Sequence, residues 1–132
     1  MKKSFLTIVL AAALLFMALA FGQAMAATGA PINISDSEFS RAVLRCASPV
    51  VVEFWSPKCP HCLRMAGKVD ALASDLAGRV KVAKVNVLEN RWLTREYGVE
   101  VVPTFLLFKN GSVAAKASGE MEEADLKKAL GI

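Results

Sequence analysis

Six consecutive residues, Val50-Val51-Val52-Glu53-Phe54-Trp55, are β-branched or aromatic at five positions and carry a single polar side chain. Side chains of a strand alternate between its two faces, so this run is apolar on both. Such a strand needs helices on each side, which is the situation of a central strand in an α/β sandwich. Glu53 is the exception, a carboxyl group headed for an interior. Immediately afterwards Ser56-Pro57-Lys58-Cys59 reads as a turn, and Pro60 suits the first helical position, where its missing N–H costs nothing. Cys59-Pro60-His61-Cys62 therefore falls where a strand ends and a helix begins. Cys62, Ala66, Val69, Ala73 and Leu76 continue at helical spacing, with Gly78 as a stop.

The remaining chain supplies the other layers. Ala27 to Pro31 is a small-residue, mobile lead-in, and Ile32 to Ile34 is a short edge strand. Ser35 and Glu38 form a capping box for a helix that puts Phe39, Val43 and Cys46 on one face before Ser48-Pro49 ends it. Val80 to Val87 is a second strand, with Lys84 and Asn86 among aliphatic residues. Asn90 caps a short helix that Gly98 stops after Tyr97, and Trp92 packs that helix down. Beyond a loop holding Pro103, Thr104–Lys109 and Ser112–Ala117 form a hairpin, because Asn110-Gly111 suits a type I′ turn. A helix from Glu122 to Leu130 closes the chain, with Lys127 and Lys128 near the negative end of its dipole. The order β-α-β-α-β-α-β-β-α gives one α/β sandwich around one sheet, in a single domain spanning residues 27–132.

Residues 1–26 read as a signal peptide. Lys2 and Lys3 give a positive start, Phe5 to Phe21 an uncharged apolar stretch, and Ala24-Met25-Ala26 a small-x-small cleavage site before Ala27. Cleavage leaves 106 residues with 14 basic and 12 acidic side chains, a net charge of +2. That balance is too small and too mixed for a nucleic-acid partner. A secreted or periplasmic location follows. The alternative is an anchor in the inner membrane through residues 5–21, a stretch at the short limit for spanning where about 20 are usual.

All three cysteines, Cys46, Cys59 and Cys62, lie in the exported part, where disulfides are tolerated. An odd count excludes a framework in which every thiol is paired. Cys59 and Cys62 would close a very small loop, which restrains the unfolded chain little, so their spacing points to chemistry rather than stapling. Cys46 reads as a small buried hydrophobe, with regulatory or intermolecular pairing as the alternative.

Only a thiolate attacks a disulfide, and an ordinary thiol ionises near pH 8.5. Cys59 at a helix start has amide N–H groups and the dipole in its favour, with Lys58 adding a cation and His61 a donor or a positive charge. Cys62, one turn inward, is the resolving thiol, which attacks Cys59 in a mixed disulfide and frees the product. Stabilising the thiolate stabilises the reduced form: about 1.4 kcal/mol moves the two-electron potential by roughly 30 mV.

From Ser37 onward the chain resembles thioredoxin. The resemblance rests on Val52-Glu53-Phe54-Trp55, the two cysteines, Val82 to Val87, Tyr97-Gly98-Val99, Val102-Pro103-Thr104, Phe108 to Gly111 and Gly119. It implies a thioredoxin-like α/β fold, a central mixed β-sheet flanked by helices on both faces. It implies that Pro103 is cis beside the cysteines and that Val102 offers backbone groups to an extended substrate. Trp55 packs against the active-site loop and completes the substrate-binding set with Val102 and Pro103. The resemblance also implies that Glu53, near Lys84, takes the Cys62 proton, although Glu here replaces the usual Asp; the alternative is a purely structural Glu53–Lys84 pair. Proline and histidine between the cysteines resemble the periplasmic oxidant DsbA. Lys58 stands in place of a tryptophan, Gly67 in place of a helix-kinking proline, and Val101 in place of a glycine lining the substrate groove.

The implied function is thiol–disulfide exchange by a monomer with exported proteins, the pair being recharged by a membrane redox partner, with no cofactor and no metal. Two other functions use the same residues. Two thiolates and a histidine could carry a soft ion such as Cu(I), and the fold could serve as a redox-inert binding module.

Overall fold

The computed structural model describes residues 29–132, so the signal peptide or anchor expected from residues 1–26 lies outside the described residues. Strand β1 (Ile32–Asn33) is followed by helix α1 (Asp36–Phe39), which runs on as a π-helical turn over Ser40–Leu44. Then come β2 (Val50–Trp55), α2 (Pro60–Asp75), β3 (Lys81–Asn86), α3 (Arg91–Glu96), β4 (Thr104–Lys109), β5 (Ser112–Ser118) and α4 (Glu123–Leu130). The sheet order is β1-β3-β2-β4-β5, with β1, β3 and β2 parallel and β4 and β5 antiparallel. This mixed five-stranded sheet is the expected architecture.

Strand β2 sits in the middle, and its alternation divides the core in two. Val51 packs with Met65, Val69, Leu72, Phe105 and Leu126 under α2 and α4. Val50, Val52 and Phe54 pack with Phe39, Val43, Leu93 and Phe108 under α1 and α3. Phe39, Tyr97 and Phe108 stack on that second side with ring centroids 5.2–5.5 Å apart, a spacing that favours edge-on contact. Being odd-numbered like Val51, Glu53 faces α2, the helix that carries Cys62 in its first turn. Its partners across the sheet are Lys84 on β3 and Phe105 on β4.

Several local expectations change. Met65, unmarked by the spacing argument, is fully buried, while Ala66 is only partly so. Trp92 does not pack its helix down: it is 54% exposed, and its neighbour Leu93 is buried instead. A helix of six residues against a curved sheet presents about one inward position per turn, and Leu93 takes it. The lead-in is tied at its described end, because Ser74 Oγ donates to Gly29 O at 2.8 Å. The π turn adds a residue and brings the first helix to an end at Leu44, so Cys46 lies beyond it, half-buried against the α1–α3 side of the core. Asn90 does not bond its own helix start. Its Oδ1 accepts the Asp36 N–H at 2.9 Å and its Nδ2 donates to Asn86 O at 3.0 Å, tying two helix starts together.

Candidate active site

Cys59 is the N-cap of α2, in extended conformation, and Pro60 is the first helical residue. The backbone reverses over Ser56–Cys59: the Cys59 N–H donates to Ser56 O at 3.1 Å and the Lys58 N–H to Ser56 Oγ at 3.1 Å. Cys59 Sγ then accepts the Cys62 N–H at 3.2 Å, as a capping oxygen would. An amide at the positive end of a sixteen-residue helix is aimed at that sulfur, which favours negative charge on it. On its other side the Cys59 thiol lies 3.5 Å from the carbonyl of Val102. Cys59 is half-exposed, Cys62 is buried, and both are free thiols.

The Val102–Pro103 bond is cis, and Pro103 is buried. Three contacts anchor this segment to the sheet. Thr104 Oγ1 donates to Val101 O at 2.7 Å and lies 3.0 Å from Ser118 Oγ, and the Gly119 N–H donates to Pro103 O at 2.9 Å. Val102 is half-buried and Val101 exposed.

Beneath the cysteines, Glu53 is 1% exposed, and its carboxylate lies 3.5 Å from Lys84 Nζ. Burial pushes its pKa up to about 6, with the Lys84 cation opposing. Burial likewise pushes the Cys62 thiol up, to about 12, with the Cys59 sulfur and the Glu53 charge acting in the same direction. Lys84 Nζ also stands 4.4 Å from the centroid of the Trp55 ring, a cation–π contact. Trp55 ends β2 beside the active-site turn, with its Nε1 buried and unpartnered. Trp55 and Lys84 line a cleft of about 520 Å³ near β1 and β3.

Lys58 is exposed in the turn. His61 is exposed too, but it does not stand alone. Its Nδ1 lies 2.9 Å from Glu120 Oε2 and 2.8 Å from Arg64 Nη2. Arg64 donates side-on to the same carboxylate, from Nε at 2.9 and 3.0 Å and from Nη2 at 2.8 Å. Arg64 and Glu120 have no counterpart in the sequence reading. The one local signal was the i, i+3 spacing of His61 and Arg64 on a helix; Glu120 is 56 residues further on and joins them only through the fold. Among the described residues, no group of three or more His, Cys, Asp or Glu side chains is placed to hold a metal ion.

The family model Thioredoxin matches residues 30–131. The chain belongs to the thioredoxin family. It is 37% identical over 95 residues to a thioredoxin of Haemophilus influenzae, covering 72% of this chain and 89% of that one. A thioredoxin of Pseudomonas aeruginosa matches at 37% over 95 residues, 72% and 88% of the two chains. One of Rickettsia felis is 42% identical over 79 residues, 60% and 75%. Family membership makes the chain a protein-disulfide oxidoreductase, and Cys59 and Cys62 are its nearby cysteine pair.

Proposed function

We propose that the protein exchanges disulfides with exported proteins, with Cys59 as nucleophile and Cys62 as resolving thiol. The observation that carries this reading is the Cys59 sulfur, which accepts an amide N–H from the helix start while remaining half-exposed beside Val102 O. A Cys59 thiolate attacks one sulfur of a substrate disulfide, forms a mixed disulfide and expels the other sulfur as thiolate. Cys62, having lost its proton, then attacks Cys59 Sγ. The Cys59–Cys62 disulfide forms, the second substrate sulfur leaves, and two electrons have passed to the substrate. Reversed, the same steps oxidise a dithiol.

Cys62 cannot ionise unaided near neutrality, so its proton needs an acceptor. Glu53, with a pKa raised to about 6, suits the role. Lys84, 16% exposed, pairs with the buried carboxylate and lines the open cleft. Val102 and Pro103 form the wall against which an extended peptide lies, and Trp55 supports the turn from below.

Export rests on residues 1–26, with the periplasm as destination and a membrane protein recharging the pair. A mature mass corresponding to 106 residues in the periplasmic fraction supports this; a full-length chain in the membrane fraction favours the anchor. Chemically, Cys59→Ser abolishes insulin disulfide reduction, whereas Cys62→Ser accumulates mixed disulfides. Full activity of the Cys59→Ser protein overturns the assignment.

A further inference from the structure

The contact that links Glu120 to His61 and Arg64 crosses from the β5–α4 connection to the first turns of α2. The neighbouring Gly119 N–H is bonded to Pro103 O, so this connection also abuts the segment bearing Val102. Glu120 is therefore held between the two elements that flank Cys59. Its carboxylate accepts from Nε and Nη2 of Arg64 and touches the His61 imidazole, so an anion lies directly against the Arg64 cation.

We propose that Glu120 is a positioning residue that sets the redox poise of the Cys59–Cys62 pair, by neutralising Arg64 and fixing the orientation of His61. The inference rests on the exchange chemistry proposed above and adds a determinant outside the Cys-Pro-His-Cys segment.

Three facts give it a sign. First, the Arg64 cation and a charge on Cys59 feel one another, since a Cys59 thiolate favours the charged guanidinium. Second, hydrogen bonds from Arg64 and His61 hold the Glu120 carboxyl down at about 2, so it is an anion throughout the range where thiols react. Third, one ring nitrogen cannot serve both neighbours in the same way. Nδ1 donates to Glu120 only when it carries hydrogen and accepts from Arg64 only when it does not. Glu120 and Arg64 therefore share one edge of the ring, and both contacts hold His61 in place.

The charged and titratable groups around Cys59 are Lys58 in the preceding turn, His61 and Arg64 on α2, Glu120 on the β5–α4 connection, and Cys62 with Glu53 beneath. Glu120 is the exposed anion of this set. Removing its charge frees Arg64 to stabilise a thiolate on Cys59, which stabilises the reduced form and makes the pair more oxidising.

The test compares wild type, Glu120→Gln, Arg64→Met and the double variant in glutathione buffers, where one disulfide plus two glutathione thiols gives two protein thiols plus glutathione disulfide. Glu120→Gln is expected to shift the equilibrium constant three- to tenfold toward the reduced protein, a full tenfold being ~30 mV. Iodoacetamide alkylation of Cys59 at pH 6, relative to pH 9, rises by a similar factor. Arg64→Met shifts both readouts the opposite way, and the double variant returns close to wild type. Because the cluster is exposed, 0.5 M salt shrinks all of these differences. A merely structural contact would alter the melting temperature and leave the equilibrium and alkylation ratios within twofold of wild type, and that result overturns the inference. So does a shift of both single variants in the same direction. If wild type forms no Cys59–Cys62 disulfide at any glutathione ratio, the exchange reading fails as well, a result distinct from variants that merely match a working wild type.

Discussion

Glu53 and Lys84 are direct partners across β2 and β3, 3.5 Å apart, on the sheet face that meets the first turn of α2. The carboxyl is more deeply buried than the ammonium, and burial outweighs the attraction of the cation, so its pKa rises from 4.5 to about 6. The folded state therefore holds this proton more tightly than the unfolded one. The resulting stability is fully present below pH 4.5 and is lost as pH rises to 6, by ~2 kcal/mol at 1.36 kcal/mol per unit. Glu53→Gln has nothing to titrate there. Urea unfolding from pH 4 to pH 7 should show wild type losing about 2 kcal/mol relative to the variant. A difference that stays flat across that window contradicts the buried, raised carboxyl.

The same substitution separates stability from chemistry. On the proposed role of Glu53 as acceptor of the Cys62 proton, Glu53→Gln should release substrate from the mixed disulfide about a hundredfold more slowly, a general-base contribution at the low end of the usual range. Stopped-flow kinetics of the second step give the rate directly. Attack by Cys59 in the first step should be nearly unchanged.

Much of this arrangement was legible in the chain because it is written in short-range pattern. The apolar run of β2, the proline after Cys59 and the Asn110-Gly111 turn each act over a few residues, and each element formed where its residues put it. Asn110 and Gly111 both have positive φ, as a type I′ turn demands. The face of α2 was harder. Met65 and Ala66 both fit a helical stripe, and only the sheet beneath decides which one points inward. Trp92 misled because a large apolar side chain in a short helix is ordinarily buried, and here Leu93 filled the single inward position. The Glu120 contact was beyond reach, since a charge bonded 56 residues away leaves no mark on local sequence.

Gly67 occupies the exposed middle of α2, where a Cβ would meet nothing within 4 Å. Glycine there contributes only the entropy it loses on folding. Gly67→Ala should stabilise the protein by ~0.5–1 kcal/mol in urea unfolding, with the glutathione equilibrium unchanged. A destabilised variant would mean that α2 departs from regular helix at this point.

Gly111 is the opposite case. Its φ is +78°, and a Cβ would come within 2.8 Å of the Leu44 carbonyl oxygen, a backbone atom that cannot step aside cheaply. Gly111→Ala should destabilise by more than ~1 kcal/mol, the cost of a left-handed conformation for an L side chain, with the clash in addition. Thermal melting of this variant beside Gly67→Ala compares two glycines with contrary signs.

Thr104 connects the fold to the substrate wall. It is fully buried, its hydroxyl donates to Val101 O at 2.7 Å, and it lies 3.0 Å from Ser118 Oγ, so one side chain ties the segment before Pro103 to β5. Thr104→Val keeps the shape and removes the hydroxyl. The lost hydrogen bond should cost ~1 kcal/mol of stability. On the proposed reading, in which Val102 and Pro103 form the wall that receives a peptide, the loosened segment should slow exchange with a protein disulfide several-fold. Equilibration with glutathione, which needs little of that wall, should keep both its rate and its end point. Equal slowing with both substrates would show that Thr104 acts on the cysteines and not on the surface that receives a peptide.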